Sequence, residues 1–202
     1  MERLTIEVGG FDVNCTILAA NGKAWIVDPG QEAERLVRLL ADRGLTPAAI
    51  LLTHAHFDHV GAIPGLQERF PDLPVFVHPN DVAVIAHPMN QLPPDYPPIT
   101  LPKNLLAAIA DVGLPGLEMI ETPGHTPGGV CYHLPSERLL LSGDTLFAGS
   151  AGRTDLPGGD YATLMGSLRK LTVLPDDTVV IPGHGPATTV GTEKRTNPFL
   201  RE

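Results

Sequence analysis

Short apolar runs, broken again and again by turn residues, set the pattern of this chain. LTIEV (4–8), NCTILAA (14–20) and KAWIV (23–27) are rich in β-branched or aromatic residues and bounded by Gly, Asn or Asp, which predicts three strands. EAERLVRLLADRG (32–44) repeats its apolar residues at helical spacing and closes on Gly44, as an amphipathic helix with a glycine stop does. AAILLT (48–53) is a short unbroken apolar run, the mark of a buried strand. FDHVGAIPGLQERF (57–70) predicts a helix kinked around Pro64, PVFVHP (74–79) a strand, and NDVAVIAH (80–87) a helix capped by Asn80. The Pro-rich stretch 88–102 predicts an irregular loop, and loops of that length are commonly functional.

The second half repeats the grammar. GLEMIET (116–122), GGVCYHL (128–134) and RLLLSGD (138–144) predict strands, DYATLMGSLRKL (160–171) a helix, TVVIPG (178–183) a strand, and the remainder a short tail. Strands come in sets with helices between them, in two halves near 1–80 and 115–182. This grouping predicts an α/β protein, a four-layer αββα sandwich, and not the regular alternation of a Rossmann sheet. With 202 residues the chain suits one domain able to bury a substantial core.

Charge and composition narrow the function. A net charge of −9 and a pI near 5.3 disfavour nucleic acid and anionic lipid as partners, since both require a basic face. Cys15 and Cys131 lie in apolar stretches and form no disulfide framework, pointing to a reducing compartment. MERLTIEVGG has no signal-peptide run, and no apolar stretch reaches the roughly 18 residues of a membrane span. A cytoplasmic protein is expected, with its oligomeric state left open. The 21 glycines and 21 prolines are scattered, as tight loops between short elements require.

Chemistry concentrates in THAHFDHVGA (53–62), where His54, His56, Asp58 and His59 fall within six positions. Four adjacent polar donors are costly to satisfy inside a core. The cluster follows a predicted buried strand, and residues two apart on an extended chain face the same way. His54 and His56 can therefore aim at one point, while Asp58 and His59, where the chain turns toward a helix, aim at another. One motif can feed two adjacent metal ions. Imidazole and carboxylate suit divalent zinc, iron or manganese.

Similar donors recur after later apolar runs: His125 in TPGHTPGG, Asp144 in LLLSGDTLF and His184 in VVIPGHGP. Five of the eight histidines fall in these motifs. A lone histidine after a strand is ordinarily a hydrogen-bonded structural residue, and His78, His87 and His133, without such partners, are read that way. Asp28, in IVDPG, is read either as a support for a ligand histidine or as an ordinary turn residue before Pro-Gly. Arg153 follows the Asp144 strand, placed to contact an anionic substrate or to pair with Asp155 in its own loop.

THAHFDH, PGHTPG, SGDTLF and PGHGP, in that order, resemble the metallo-β-lactamase superfamily. Within it the chain is similar to the glyoxalase II group, the hydroxyacylglutathione hydrolases, and GRTDLPGGD (152–160) resembles its short bacterial members. The resemblance implies the αββα sandwich with metals at one edge. It implies that His54, His56 and His125 hold one metal, that Asp58, His59 and His184 hold the other, and that Asp144 bridges them. Two divalent ions are expected, zinc first, iron or manganese otherwise. Residues 1–202 are expected to form a single domain of this fold, without the C-terminal helical substrate domain of longer glyoxalase II enzymes.

The implied reaction is hydrolysis of a small acyl-thioester, S-lactoylglutathione to lactate and glutathione. A hydroxide shared by the metals attacks the thioester carbonyl, Asp58 orients it, and Arg153 contacts the substrate. Binding to zinc lowers the pKa of water from 15.7 to about 7, and a thiolate leaves without much acid help. A persulfide dioxygenase with one iron on His54, His125 and Asp144 is the chief alternative. A β-lactamase is disfavoured by a bridging aspartate, a nuclease by the acidic charge, and a non-catalytic metal module by the number of ligands.

Overall fold

The alternation near the N-terminus folds as an antiparallel meander, and the next three strands extend it in parallel. The computed structural model describes residues 1–107 and 112–201. They form two compact units, Met1–Leu114 and Pro115–Glu202.

In the first unit, β1 (Glu2–Val8), β2 (Val13–Ala20) and β3 (Lys23–Val27) pair antiparallel. β4 (Thr46–Leu51), β5 (Val75–Val77) and β6 (Leu105–Ala107) then add in parallel, in the order β1-β2-β3-β4-β5-β6. Between β3 and β4 runs α1 (Ala33–Asp42), which buries Leu36 and Leu40. Gly44, at φ 63, ends it as the sequence predicts. Leu36 and Leu40 join Ile17, Ile26, Ile50 and Leu66 in one apolar cluster. At about 25 cal/mol per Å² of apolar surface removed from water, such clusters are the main favourable term in folding.

The predicted kinked helix 57–70 is two helices, α2 (Phe57–Val60) and α3 (Ile63–Arg69). The break falls before Pro64, which sits in the first turn of α3. A proline there sacrifices no helical hydrogen bond. The segment 80–87 also differs. A 3₁₀ turn, Pro79–Asp81, precedes the short α4 (Val82–Ile85), and the cap is His78, whose Nδ1 accepts from the Asn80 N–H at 3.2 Å. Asn80 is inside the turn and is not its cap. Within the Pro-rich loop Leu92 and Tyr96 form a β-bridge, and Tyr96 is buried.

In the second unit, β7 (Glu118–Glu121), β8 (Val130–Leu134) and β9 (Leu139–Gly143) pair antiparallel. β10 (Leu146–Phe147) and β11 (Ser150–Ala151) make a small hairpin. α5 (Tyr161–Leu171) starts at Asp160, whose carboxylate accepts from the Thr163 N–H at 2.7 Å. It packs Leu164, Leu168 and Leu171 into a cluster with Cys131, Leu140 and Val180. β12 (Val179–Pro182) lies parallel to β9, and β13 (Thr188–Thr189) completes the order β13-β12-β9-β8-β7.

The predicted tail is a helix, α6 (Val190–Thr196), with the Thr189 side chain as its cap. Glu193 is buried within it. It accepts hydrogen bonds from the Gly149 N–H (2.8 Å), the Thr188 hydroxyl (2.6 Å) and the Asn197 amide (2.8 Å).

Candidate metal centre

The seven predicted ligands fall into two clusters, one in each unit. In the first, β4 ends at Leu51 and the chain runs extended through His54 and His56 before α2 begins. His56 has φ −66 and ψ 150. The His54 ring centroid lies 4.8 Å from that of His56 and 4.1 Å from that of His59. Nε2 of His59 is 3.9 Å from an Asp58 carboxylate oxygen. His54 is 2% exposed, His56 8% and His59 0%.

Three imidazoles withdrawn from water must be compensated, and part of the compensation lies behind them. Asp28, itself at φ 50, accepts from the Thr53 N–H (2.8 Å) and the Thr53 hydroxyl (2.6 Å). The same hydroxyl is 3.1 Å from Nδ1 of His54, and an Asp28 oxygen is 3.2 Å from Nδ1 of His59. For His54, a partner at Nδ1 leaves Nε2 as the forward donor, the usual arrangement of a metal-binding histidine. Of the two readings of Asp28, these contacts fit the supporting one. The approach is close: a Cβ on Gly30 would lie 2.0 Å from the Asp58 carbonyl oxygen.

Two further residues join this loop. Asp81 accepts from the Ala55 N–H at 3.1 Å, and Asn90 accepts from the Phe57 N–H at 2.8 Å.

In the second unit the donors leave the ends of strands. β9 and β12 are parallel with Gly143 opposite Pro182, so Asp144 and His184 emerge side by side. One Asp144 carboxylate oxygen lies 3.5 Å from Nε2 of His125 and 3.7 Å from Nε2 of His184. Nδ1 of His125 is 2.7 Å from the Arg153 carbonyl oxygen, so it carries the proton and Nε2 again faces forward. A Cβ on Gly152 would lie 1.9 Å from the Asp144 carbonyl oxygen, so only glycine fits there.

The Arg153 side chain pairs bidentately with Asp155, both contacts at 2.7 Å. The guanidinium holds the Asp155 carboxyl down at about 2. Arg153 thus forms the ion pair within its own loop.

The other histidines have local structural contacts. Besides the His78 cap, Nδ1 of His87 accepts from the Met89 N–H at 3.2 Å, and Nδ1 of His133 is 3.1 Å from a Glu118 carboxylate oxygen. Cys15 and Cys131 are buried free thiols. Burial pushes the Cys15 thiol far up and that of Cys131 to about 11, so neither is a nucleophile near neutral pH. Among the described residues, no helix is long and apolar enough to cross a membrane.

Buried imidazoles with half-buried carboxylates beside them, in a chain of this fold, fit a metal-dependent enzyme. The description "Metallo-beta-lactamase superfamily" matches residues 8–184, and the chain belongs to that superfamily. The probable metallo-hydrolase YqgX of Bacillus subtilis is 39% identical, over 96% of this chain and 95% of its own. The hydroxyacylglutathione hydrolase GloC of Haemophilus influenzae is 39% identical, over 96% of both. Among solved structures, the BLEG-1 B3 metallo-β-lactamase superimposes with a TM-score of 0.90 at 39% identity, over 100% of both chains. The di-iron-bound form of TTHA1623 gives 0.88 at 42% identity, over 98% of this chain and 100% of that one. The chain therefore has the metallo-β-lactamase fold predicted for it, and its class is metallo-hydrolase.

Proposed function

We propose that this chain is a glyoxalase II-like hydrolase of small acyl-thioesters, acting on S-lactoylglutathione or a close analogue, with residues 1–202 as one catalytic domain. The observation that carries the reading is Asp144, one oxygen of which lies within 3.7 Å of Nε2 of both His125 and His184. A carboxylate shared by two imidazoles suits a bridge between two cations. On this reading His54, His56 and His125 would hold one ion and Asp58, His59 and His184 the other, with Asp144 available to both. Five imidazoles and two carboxylates fit zinc first, with iron or manganese next. The di-iron form of TTHA1623 favours keeping iron among the candidates.

When bound, the pair of divalent cations supplies an activated water and polarises the substrate carbonyl. The chain's own residues do the rest. Asp58, its side chain 13% exposed, would accept a hydrogen bond from the attacking hydroxide and so orient it. Burial of His54, His56 and His59 keeps the local dielectric low, so charge developing on the carbonyl oxygen is stabilised more than in water. No serine or cysteine nucleophile is required, in keeping with the raised thiols. Arg153 spends two of its five guanidinium N–H donors on Asp155, and the remaining ones are assigned to a substrate carboxylate. The name of GloC supports the thioester reading, while that of BLEG-1 makes a β-lactam the substrate to test against it.

Elemental analysis of reloaded protein is expected to give about two ions per chain, with thiol released from S-lactoylglutathione. Arg153→Ala is expected to raise KM more than it lowers kcat, because it removes binding common to ground and transition states. One tightly held iron together with oxygen uptake on glutathione persulfide overturns the hydrolase for the dioxygenase. Turnover of a cephalosporin, with none of any thioester, overturns it for a β-lactamase.

A further inference from the structure

Ala55 and Phe57 alternate with the proposed ligands His54, His56 and Asp58, and their side chains offer nothing to a metal. Their main-chain groups are the point of interest. Among the described residues the ladders of β4 end at Leu51, yet buried peptide groups beyond it require partners. Side chains supply them. The Ala55 N–H donates to Asp81 at 3.1 Å. The Phe57 N–H donates to Oδ1 of Asn90 at 2.8 Å, and Nδ2 of Asn90 donates back to the Ala55 carbonyl at 2.9 Å. A third contact, from Nδ2 to the Ile85 carbonyl at 3.3 Å, ties Asn90 to the end of α4. Asp81 is 0% exposed and Asn90 6%.

The Asn90 amide thus takes both the C=O before His56 and the N–H after it. This is what a peptide group of an adjacent strand does in a ladder. It keeps His56 extended beyond the last residue of β4. Extension is what puts His54 and His56 on the same side of the chain, and their ring centroids are 4.8 Å apart. The orientation of the amide is determined, because turning it over would set NH₂ against the Phe57 N–H and oxygen against the Ala55 carbonyl.

We infer that Asn90 and Asp81 are positioning residues for the metal loop, holding the main chain around His56 so that the imidazoles of His54 and His56 converge. The inference rests on the metal reading above. It assigns a role to two residues that touch neither ion nor substrate.

The test uses the full-length protein and metal alone. Zinc affinity is measured by chelator competition, the ligand field by the visible spectrum of the cobalt(II) form, and folding by the far-UV spectrum and melting of the metal-free protein. Asn90→Leu and Asp81→Leu are expected to weaken zinc binding by about 10- to 100-fold and to alter the cobalt spectrum. Asp81→Asn keeps an acceptor for the Ala55 N–H and is expected to retain most of the affinity. Leu40→Ala, a core truncation on α1 that takes no part in these bonds, is the control for stability alone. It is expected to lower the Tm with wild-type zinc affinity and spectrum. If Asn90→Leu does not fold, Asn90→Asp carries the test, since it keeps the acceptor for Phe57 and loses both donations. Folded bracket variants with wild-type affinity and spectrum overturn the inference. A wild type that binds no zinc or cobalt overturns the metal reading beneath it.

Discussion

Histidine has two ring nitrogens, and in this protein the environment chooses between them. Thr53, Asp28 and the Arg153 carbonyl stand at Nδ1 of His54, His59 and His125. The proposed ligands come from the sequence, because His-x-His-x-Asp-His after an apolar run has little structural use and matching donors come after three later runs. For Asp28 the sequence left two readings, a turn residue or a histidine support, and its contacts to Thr53 and His59 favour the second. Asp81 and Asn90 were not legible in the sequence. They lie 26 and 35 positions from the groups they hold, and those groups are main-chain, so no residue type marks the pairing. At this scale Asp144 gives the sharpest outcome. Asp144→Asn, a poorer bridge, is expected to lower bound metal and turnover together, the latter by at least about 10-fold. His133→Ala should leave metal content unchanged. A fully loaded and fully active Asp144→Asn protein removes the bridge.

Among the elements, strands with β-branched or aromatic runs were read correctly, and so were α1 and α5, which have a clear apolar stripe and a clear stop or cap. The misses share a cause. β6 and β13 have only three and two residues, too few to show a period. α6 is polar along much of its length, so its pattern resembles a tail. Its local signals are Thr189 before the first turn, Glu193 within it, and Lys194 and Arg195 in the last, which favour a helix through capping and the dipole. What holds it is Glu193, a buried carboxylate with three donors. Glu193→Ala is expected to cost about 3 kcal/mol, because hydrogen bonds to a charged group contribute about 1.5–3 kcal/mol each and water replaces part of them. Urea unfolding measures it, and a loss below about 1 kcal/mol would show that Glu193 does not hold the helix.

Taken whole, the chain gives each unit a sheet in which parallel strands end near proposed ligands. Such buried polar ends are costly for the metal-free protein and favourable once ions are bound, so metal and stability are linked. Free zinc at 100 times its Kd should add about 2.7 kcal/mol, or more where two sites fill. At roughly 2–4 °C per kcal/mol for a chain of this size, the Tm should rise by about 5–10 °C, and a chelator should reverse the rise. Identical melting with and without metal contradicts a metal centre built into the fold. The division into two halves was visible in the order of predicted elements, while the substrate was not, since specificity depends on a few contacts that periodicity does not reveal.

Arg153 serves the site twice, through unrelated parts of itself. Its guanidinium reaches Asp155, and its carbonyl receives the His125 proton. Only the first is written in the side chain. A saturation scan that tries all nineteen replacements at this position removes the guanidinium each time and leaves the carbonyl in place every time. Such a map would score position 153 by its guanidinium alone, through the ion pair and the proposed substrate contact. The support of His125 would surface only when the chain's length changes, as intolerance to a one-residue insertion or deletion between 145 and 153. If His125 holds metal as proposed, the spacing of the backbone in this stretch is a trait that a catalogue of substitutions cannot see.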